Sequence, residues 1–597
     1  MKTLKRILYT LVFALVLSMN AHAQENQSYI MHTITKGQTL TTIASMYGVT
    51  IDEIVSLNPG SDTTIFEGKT LRIPRRPSSK QEGSFHTILN GETLYGLSKK
   101  YNLTVRSIMD ANPGLSATNF KAGQVIRIPA GNEKNSLPEA TEQPKEEQQP
   151  APAVKPNYRD MHRVQRGETV YSIARMYDIS EEELLAANPE LKDARKLKRN
   201  SFLAIPYPKK EEVKVVEEKE PTTTELFQEN TKKTEKLNTI KAALVLPFHK
   251  NGTPVSETQR MVEYYQGFLL ALDSLKQTGS NIDLYTYNSG TDLADINAVI
   301  AQSELKQMDV IFGPLYQAQI KPLADFANAN NIRLVIPFTS RDDAVFNNPQ
   351  VYQVNTPQSY FYSEVYDHFG RQFPNAHVIF VETGQTDKSD FIKGFREDLQ
   401  RRSVPITTLN ESSDYMEMRG VLRNDKDNIF VPTSGSDAAL FKTLPQLTLV
   451  VRDSLLNVTQ GIDNIHLFGY PEWQTYTSDF LDSFFELDTY FYSSFYSNNL
   501  MDNPREFTLK FRRWYGKEME DRYPKYGMLG FDTGYYFLKG LWQYGTAFEQ
   551  EQQKLKLVPI QTGFKYERVN NWGGFINKKV FFVHFTRDHE LIKLDFD

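Results

Sequence analysis

Three stretches of the chain repeat one order of apolar and polar positions. Each opens on an alternation that predicts a strand, with Ile34 after His32, Ile88 after His86 and Val164 after His162. A glycine turn follows, read as Gly37, Gln38, Thr39, Leu40, then Gly91, Glu92, Thr93, Leu94, then Gly167, Glu168, Thr169, Val170. The threonine can cap a helix by accepting from its first free amides. Helical spacing then runs through Ile43 to Tyr47, Leu97 to Tyr101 and Ile173 to Tyr177. A second short helix leads to Asn58-Pro59, Asn112-Pro113 and Asn188-Pro189, where proline discourages helix at the residue before it. The asparagine lies 21 residues after the glycine in all three copies. Each copy closes on a strand ending in Ile-Pro, at Ile73-Pro74, Ile128-Pro129 and Ile205-Pro206. The predicted unit is a β-α-α-β module of about 45 residues, a small core without staples.

From residue 240 the pattern changes. Ala243 to Phe248 is a continuous apolar run suited to a buried parallel strand. Met261, Tyr265, Phe268, Leu269, Leu272 and Leu275 then recur at helical spacing. Predicted strands at 282–287, 309–312 and 332–336 alternate with helices at 292–307 and 318–330. The alternation restarts with a strand at 377–381, a helix at 388–401 and strands at 428–431 and 465–469. Tyr490 to Tyr492 and Phe581-Phe582 also read as strands. Two α/β lobes are the natural outcome. The expected fold is multidomain: three small βααβ modules, then one two-lobed α/β domain.

The repeated module resembles the LysM domain, over 32–74, 85–129 and 162–206. The resemblance implies non-catalytic binding of the N-acetylglucosamine backbone of peptidoglycan or chitin, in a shallow groove between two loops. One loop would carry Gly37 to Leu40, Gly91 to Leu94 and Gly167 to Val170. The other would carry Asn58, Pro59, Asn112, Pro113, Asn188, Pro189 and the residues just after. Other readings stand beside this one: the glycines as turn residues only, the Asn-Pro pairs as helix terminators, and His32, His86 and His162 as strand-edge packing rather than metal ligands. The third copy departs through a charged run, Lys192 to Arg199, where a sugar-facing loop belongs.

The region 240–597 resembles the type I periplasmic ligand-binding fold, the branched-chain amino-acid receptor group. The residues that carry the resemblance are Val245 to Phe248, Phe312-Gly313-Pro314, Ile336 to Ser340, and Gly530-Phe531-Asp532 opening a late helix. It implies a ligand cleft between lobes at the C-terminal ends of the strands, where open α/β sheets place ligands. By position, Phe248, Tyr316, Thr339, Ser340 and Glu472 would line it. Tyr316 stands where amino-acid receptors carry a small hydroxyl residue. Glu472 stands near the family's carboxylate for a ligand ammonium, with a solvated loop acid as the competing reading.

Composition narrows the function. The 597 residues are 40% hydrophobic and 24% charged, which excludes a polytopic membrane protein and a wholly disordered chain. The net charge of −5 gives no sign of nucleic-acid binding. With no cysteine, disulfides, thiolate metal sites and a cysteine nucleophile are excluded. Residues 1–23 read as a signal peptide: Lys2, Lys5 and Arg6, an apolar run Ile7 to Leu17, and Ala21-His22-Ala23 before the cut. No stable membrane anchor is expected after cleavage. Residues 130–160, with five prolines, and 207–239, with seven Lys and eight Glu, read as linkers, the second as a spacer or a solvated helix. No G-x-S-x-G, H-E-x-x-H or G-x-G-x-x-G is present. The expectation is an exported, periplasmic or wall-associated peptidoglycan-binding protein that is not an enzyme and needs no cofactor or metal. Its second domain would take a small ligand or a peptidoglycan synthase. Rival readings are a solute receptor of an amino-acid-type ABC transporter and a wall hydrolase.

Overall fold

The computed structural model describes residues 29–35, 38–62, 65, 67–74, 84–130, 158, 160–191, 197–206, 221–230, 235–248, 255–385, 387–456 and 464–596. The signal-peptide reading, Gly37 and most of both linkers lie outside them. The chain forms two compact units, one of residues 1–135 with 223–597, the other of residues 136–222.

Each module pairs two antiparallel strands around two short helices. The first uses β1 (Tyr29–Thr33), α1 (Leu40–Tyr47), α2 (Ile51–Leu57) and β2 (Thr70–Pro74). The second uses β3 (Ser84–Thr87), α3 (Leu94–Lys100), α4 (Val105–Ala111) and β4 (Val125–Ile128). The third uses β5 (Asp160–Arg163), α5 (Val170–Met176), α6 (Glu181–Ala187) and β6 (Phe202–Ile205). The register is shared: His32, His86 and His162 face Leu71, Ile126 and Leu203. Thr39, Thr93 and Thr169 cap the first helices by accepting from the amides of Thr42, Gly96 and Ser172 at 3.3, 2.9 and 3.1 Å. The charged segment after the third module is neither a plain spacer nor a wholly solvated helix. It forms α7 (Thr223–Asn230), whose Leu226 and Phe227 are buried in the core of the second module.

The large domain is two lobes with one topology. In the first lobe β7 (Ile240–Leu246), β8 (Ile282–Asn288), β9 (Val310–Phe312), β10 (Arg333–Ile336) and β11 (Val351–Gln353) lie in the spatial order β8-β7-β9-β10-β11, all parallel. In the second, β12 (Ala376–Glu382), β13 (Ile406–Asn410), β14 (Asp427–Pro432), β15 (Ile465–Gly469) and β16 (Thr489–Ser493) lie in the order β13-β12-β14-β15-β16, also parallel. Both are doubly wound sheets of order 2-1-3-4-5. The chain then adds β17 (Tyr566–Arg568) and β18 (Phe575–Asn577) to the first sheet, and β19 (Phe581–Phe585) and β20 (Leu591–Leu594) to the second. It therefore passes between lobes after β11, β16 and β18.

Two long helices, Val255–Lys276 and Tyr526–Tyr544, pack closely on the first lobe. Their backbones meet at glycine: a Cβ on Gly267 would lie 1.7 Å from the Gly527 carbonyl oxygen, and one on Gly530 2.0 Å from that of Tyr264. Asp532 lies inside the second of these helices rather than at its opening. Its carboxylate accepts from the amides of Ile560, Gln561 and Thr562, each at 2.8 Å. That ties down the strand-like segment where Thr562 bridges to Phe495 and the Tyr496 amide donates to the Gln561 carbonyl at 3.1 Å. One carboxylate thus holds the crossover between lobes.

At the start of β16 the Asp488 carboxylate sits between two imidazoles, His466 Nδ1 at 2.6 Å and His584 Nε2 at 2.9 Å. Burial works to raise its pKa, but the two histidines outweigh it and hold the group well below the usual carboxylate range. A depressed carboxyl stabilises the fold above its unfolded value of about 3.9 and loses that contribution as pH falls toward the folded value. The stability gap between the natural protein and Asp488→Asn is therefore expected to be present above about pH 4 and to narrow below it, read by urea unfolding at each pH. A gap that grows on acidification would contradict this placement of the charge.

Candidate functional site

In every module the histidine is the centre of a polar triad. His32 Nδ1 meets the Tyr47 hydroxyl at 2.9 Å and its Nε2 meets Gln38 Oε1 at 2.8 Å. His86 meets Tyr101 at 3.0 Å and Glu92 at 2.6 Å, and His162 meets Tyr177 at 3.1 Å and Glu168 at 2.9 Å. Gln38, Glu92 and Glu168 also accept the amides of Thr35, Leu89 and Gln165, which closes the glycine turn. Burial lowers the His32 pKa against the opposing Gln38 bond. At Glu92, burial acts to raise the carboxyl, but the Leu89 amide, His86 and Lys100 bring it below its ordinary value. All three histidines are buried, so they organise the loop from inside rather than packing at a strand edge. The constant His-to-Tyr separation of 15 residues was the sequence signal for this triad.

The asparagines are equally structural. The Asn58 amide donates to the Ile54 and Arg72 carbonyls, both at 2.7 Å, and its Oδ1 accepts from the Arg72 amide at 2.9 Å. Asn112 makes the same three bonds to Ile108 and Arg127, and Asn188 to Leu184 and Ala204. Each asparagine thus clamps the end of the second helix to the closing strand. The prolines that follow, Pro59, Pro113 and Pro189, are exposed. Gly91 and Gly167 have φ of +86° and +95°, the left-handed region glycine tolerates without strain. In the first module a cavity of about 500 Å³ opens beside this clamp, lined by Leu57, Asn58, Pro59, Gly60, Ile65 and Arg72 among others. The Gln38 to Leu40 loop does not line it.

The second candidate site is a cavity on the first lobe of the large domain. A cavity of about 400 Å³ lies at the C-terminal ends of the first lobe's strands, with Glu257, Arg260, Tyr316, Thr339, Arg341 and Tyr526 in its wall. Of the expected cleft residues, Tyr316 and Thr339 come together there. Tyr316 donates to Glu257 Oε2 at 2.6 Å, and burial, reinforced by that carboxylate, pushes its pKa up to about 12. Phe248 is edge-on to Tyr265 with ring centroids 5.7 Å apart, and Ser340 is half-buried. Neither lines the cavity. Glu472 belongs to the second lobe, where it is ion-paired with Lys388, and the Lys388 ammonium also sits 5.0 Å from the centre of the Tyr470 ring. Beside it, the Ser434 and Ser436 hydroxyls both donate to Gln385 Oε1 at 2.6 Å. Glu257, Arg260 and Arg341 were not anticipated, because their approach depends on how helix Val255–Lys276 crosses the ends of two strands. Among the described residues no group of three or more His, Asp or Glu is placed to hold a metal ion. None of their helices is long and apolar enough to cross a membrane.

The LysM domain family model matches residues 32–74, 86–129 and 162–206. The chain carries three LysM domains. Among curated relatives, the N-acetylmuramoyl-L-alanine amidase sle1 of Staphylococcus haemolyticus is 28% identical over 138 residues, 22% of this chain and 42% of that protein. The secreted LysM effector ECP6 of Passalora fulva is 31% identical over 122 residues, 17% of this chain and 54% of that protein. The chain spans about two fifths of the length of the Staphylococcus haemolyticus and Staphylococcus epidermidis amidases it matches. Among solved structures, a putative branched-chain amino acid ABC transporter protein from Rhodospirillum rubrum is 11% identical with a TM-score of 0.40, covering 60% of this chain and 100% of that one. An ABC transporter substrate-binding protein from Desulfitobacterium hafniense, in complex with Leu, is 14% identical with a TM-score of 0.34, again covering 60% and 100%. The two-lobed, doubly wound architecture itself is set by the strand order described above.

Proposed function

We propose that this is an exported, non-catalytic protein that the LysM modules hold on the N-acetylglucosamine glycan of the cell wall, while the interlobe cleft takes a small ligand. The three LysM domains carry the reading, since that family implies peptidoglycan binding. Glycan contact is assigned to the Gly-to-Leu or Gly-to-Val loops and to the residues after the Asn clamps. There, exposed proline and left-handed glycine bring backbone donors and acceptors close to an acetamido group. Triad and clamp side chains shape those loops rather than touch the sugar. In the first-lobe cavity, the Arg260 and Arg341 guanidinium groups beside the Tyr316–Glu257 pair favour a ligand bearing a carboxylate. A peptidoglycan synthase as partner, in place of a small ligand, is the second occupant considered for this domain. The amidase activity named for the relatives is not carried over, because the chain spans less than two thirds of their length and its sequence holds no G-x-S-x-G or H-E-x-x-H motif.

Measurements on the full chain test both halves. Co-sedimentation with purified sacculi should retain it, and free N-acetylglucosamine oligomers should compete it off. Thermal shift across amino acids and muropeptides should raise the midpoint for a carboxylate-bearing compound. Failure to sediment removes the wall reading, and no shift with any small molecule favours the protein partner. Release of label from dyed peptidoglycan would show the protein to be a hydrolase.

A further inference from the structure

The two loops assigned to glycan are not equally free in the three modules. In the second module each is engaged by another part of the same chain. On the first loop, α7 lies against α3. Leu226 and Phe227, 6% and 8% exposed, join Ile88, Leu94, Leu97 and Leu115 in one core, and the Thr223 hydroxyl oxygen accepts from the Leu94 amide at 3.4 Å. Leu94 is wholly buried, whereas its counterparts Leu40 and Val170 are only half-buried.

On the second loop, the turn between β17 and β18 is bonded in place. The Gly114 amide donates to the Asn571 carbonyl at 2.8 Å, and the Asn571 side-chain amide donates to the Val125 carbonyl at 2.9 Å. A Cβ on Gly114 would lie 2.6 Å from Arg568 Cδ and 3.1 Å from Asn571 Cα, so a larger residue would have to push the turn aside. Phe85 packs on Trp572 with ring centroids 4.9 Å apart.

The other modules differ at the same positions. The first has its open cavity beside Asn58 to Ser61. The third forms a unit of its own, and by strand register its Met161 and Phe202 are the counterparts of Phe85 and Val125. They are 45% and 58% exposed. Apolar side chains that meet Trp572 and its turn in the second module thus face outward in the third.

We infer that the second LysM module is closed to glycan in the folded protein: α7 and the 568–573 turn each hold one of its two loops, leaving glycan to the first and third. This rests on the glycan reading above and adds to it which modules are available. Binding at the second module requires α7 and the turn to leave, so recruiting it is coupled to a rearrangement at the edge of the first lobe's sheet.

Hydrogen exchange on the full chain, with and without the N-acetylglucosamine tetramer, tests it segment by segment. Without ligand, segments 91–95 and 112–116 are expected to exchange about tenfold more slowly than 167–171 and 188–191, because the Leu94 and Gly114 amides are bonded to other parts of the chain. Ligand should add protection at 58–61, 167–171 and 188–191 and leave the second module unchanged. In the variant Leu226→Ser, Phe227→Ser, Trp572→Ala, the second module's loops should lose their protection and gain a ligand response. Ligand-dependent protection of 91–95 or 112–116 in the unaltered chain overturns the inference, as does equal exchange of the second and third modules without ligand. Absence of a ligand response at every module instead overturns the glycan reading itself, a pattern distinct from either.

Discussion

Asn188→Ala is expected to unfold the third LysM module while leaving the rest of the protein folded. Asn188 is 2% exposed, and its amide holds three backbone groups that have no other side-chain partner at the clamp: the Leu184 carbonyl, the Ala204 carbonyl and the Ala204 amide. Alanine takes this partner from the buried Leu184 carbonyl and the half-buried Ala204 amide and carbonyl, at about 1 kcal/mol each. A module of this size draws only roughly 3–5 kcal/mol from its core, so a loss of about 3 kcal/mol consumes most of it. Hydrogen exchange should show residues 160–206 losing protection together, with the lobes unchanged because the third module is a separate unit. Sacculus retention should weaken although no sugar-facing atom has been removed. A variant that keeps its protection would mean that the clamp is dispensable.

Asp532→Ala is expected to have the larger effect on the big domain. Asp532 is 4% exposed and is the common acceptor for the Ile560, Gln561 and Thr562 amides. Removing it strands two buried donors and one half-buried donor at the crossover between lobes, a cost of about 3–5 kcal/mol at the ordinary penalty for an unpaired buried group. The urea midpoint of the main unit should fall accordingly. Asp532→Asn keeps one acceptor oxygen and should recover part of the loss. An unchanged midpoint in the alanine variant would show that the amides find other partners and that this carboxylate does not hold the crossover.

Much of this protein can be read one residue at a time. The three modules announce themselves because local signals coincide at fixed spacing: the threonine caps, the glycine turns and the Asn-Pro pairs each act within a few residues. The early strands and helices of both lobes were legible for the same reason. Strands β11, β13, β17, β18 and β20 were not. They are three to five residues long, and their strand character comes from neighbours distant in the chain, as when Phe575 aligns with Tyr352. At the sites the same division holds. The cap, the turn and the Asn-Pro position were foreseen. The His-Tyr triad and the inward use of the asparagine were not, since both depend on where a strand returns.

The amino-acid order alone therefore determined how many modules there are, what family they resemble and that two α/β lobes follow, because each of those rests on periodicity and local capping. Tertiary structure alone decided which loops are open. Leu94 opens its helix as Leu40 and Val170 open theirs in the repeat, and it is fully buried where Leu226 and Phe227 arrive from about 130 residues away. Gly114 is one more turn glycine until Asn571 bonds to its amide. Burial is a property of what the chain brings to a surface, and a repeat that is uniform in sequence becomes non-equivalent once different segments pack on its copies.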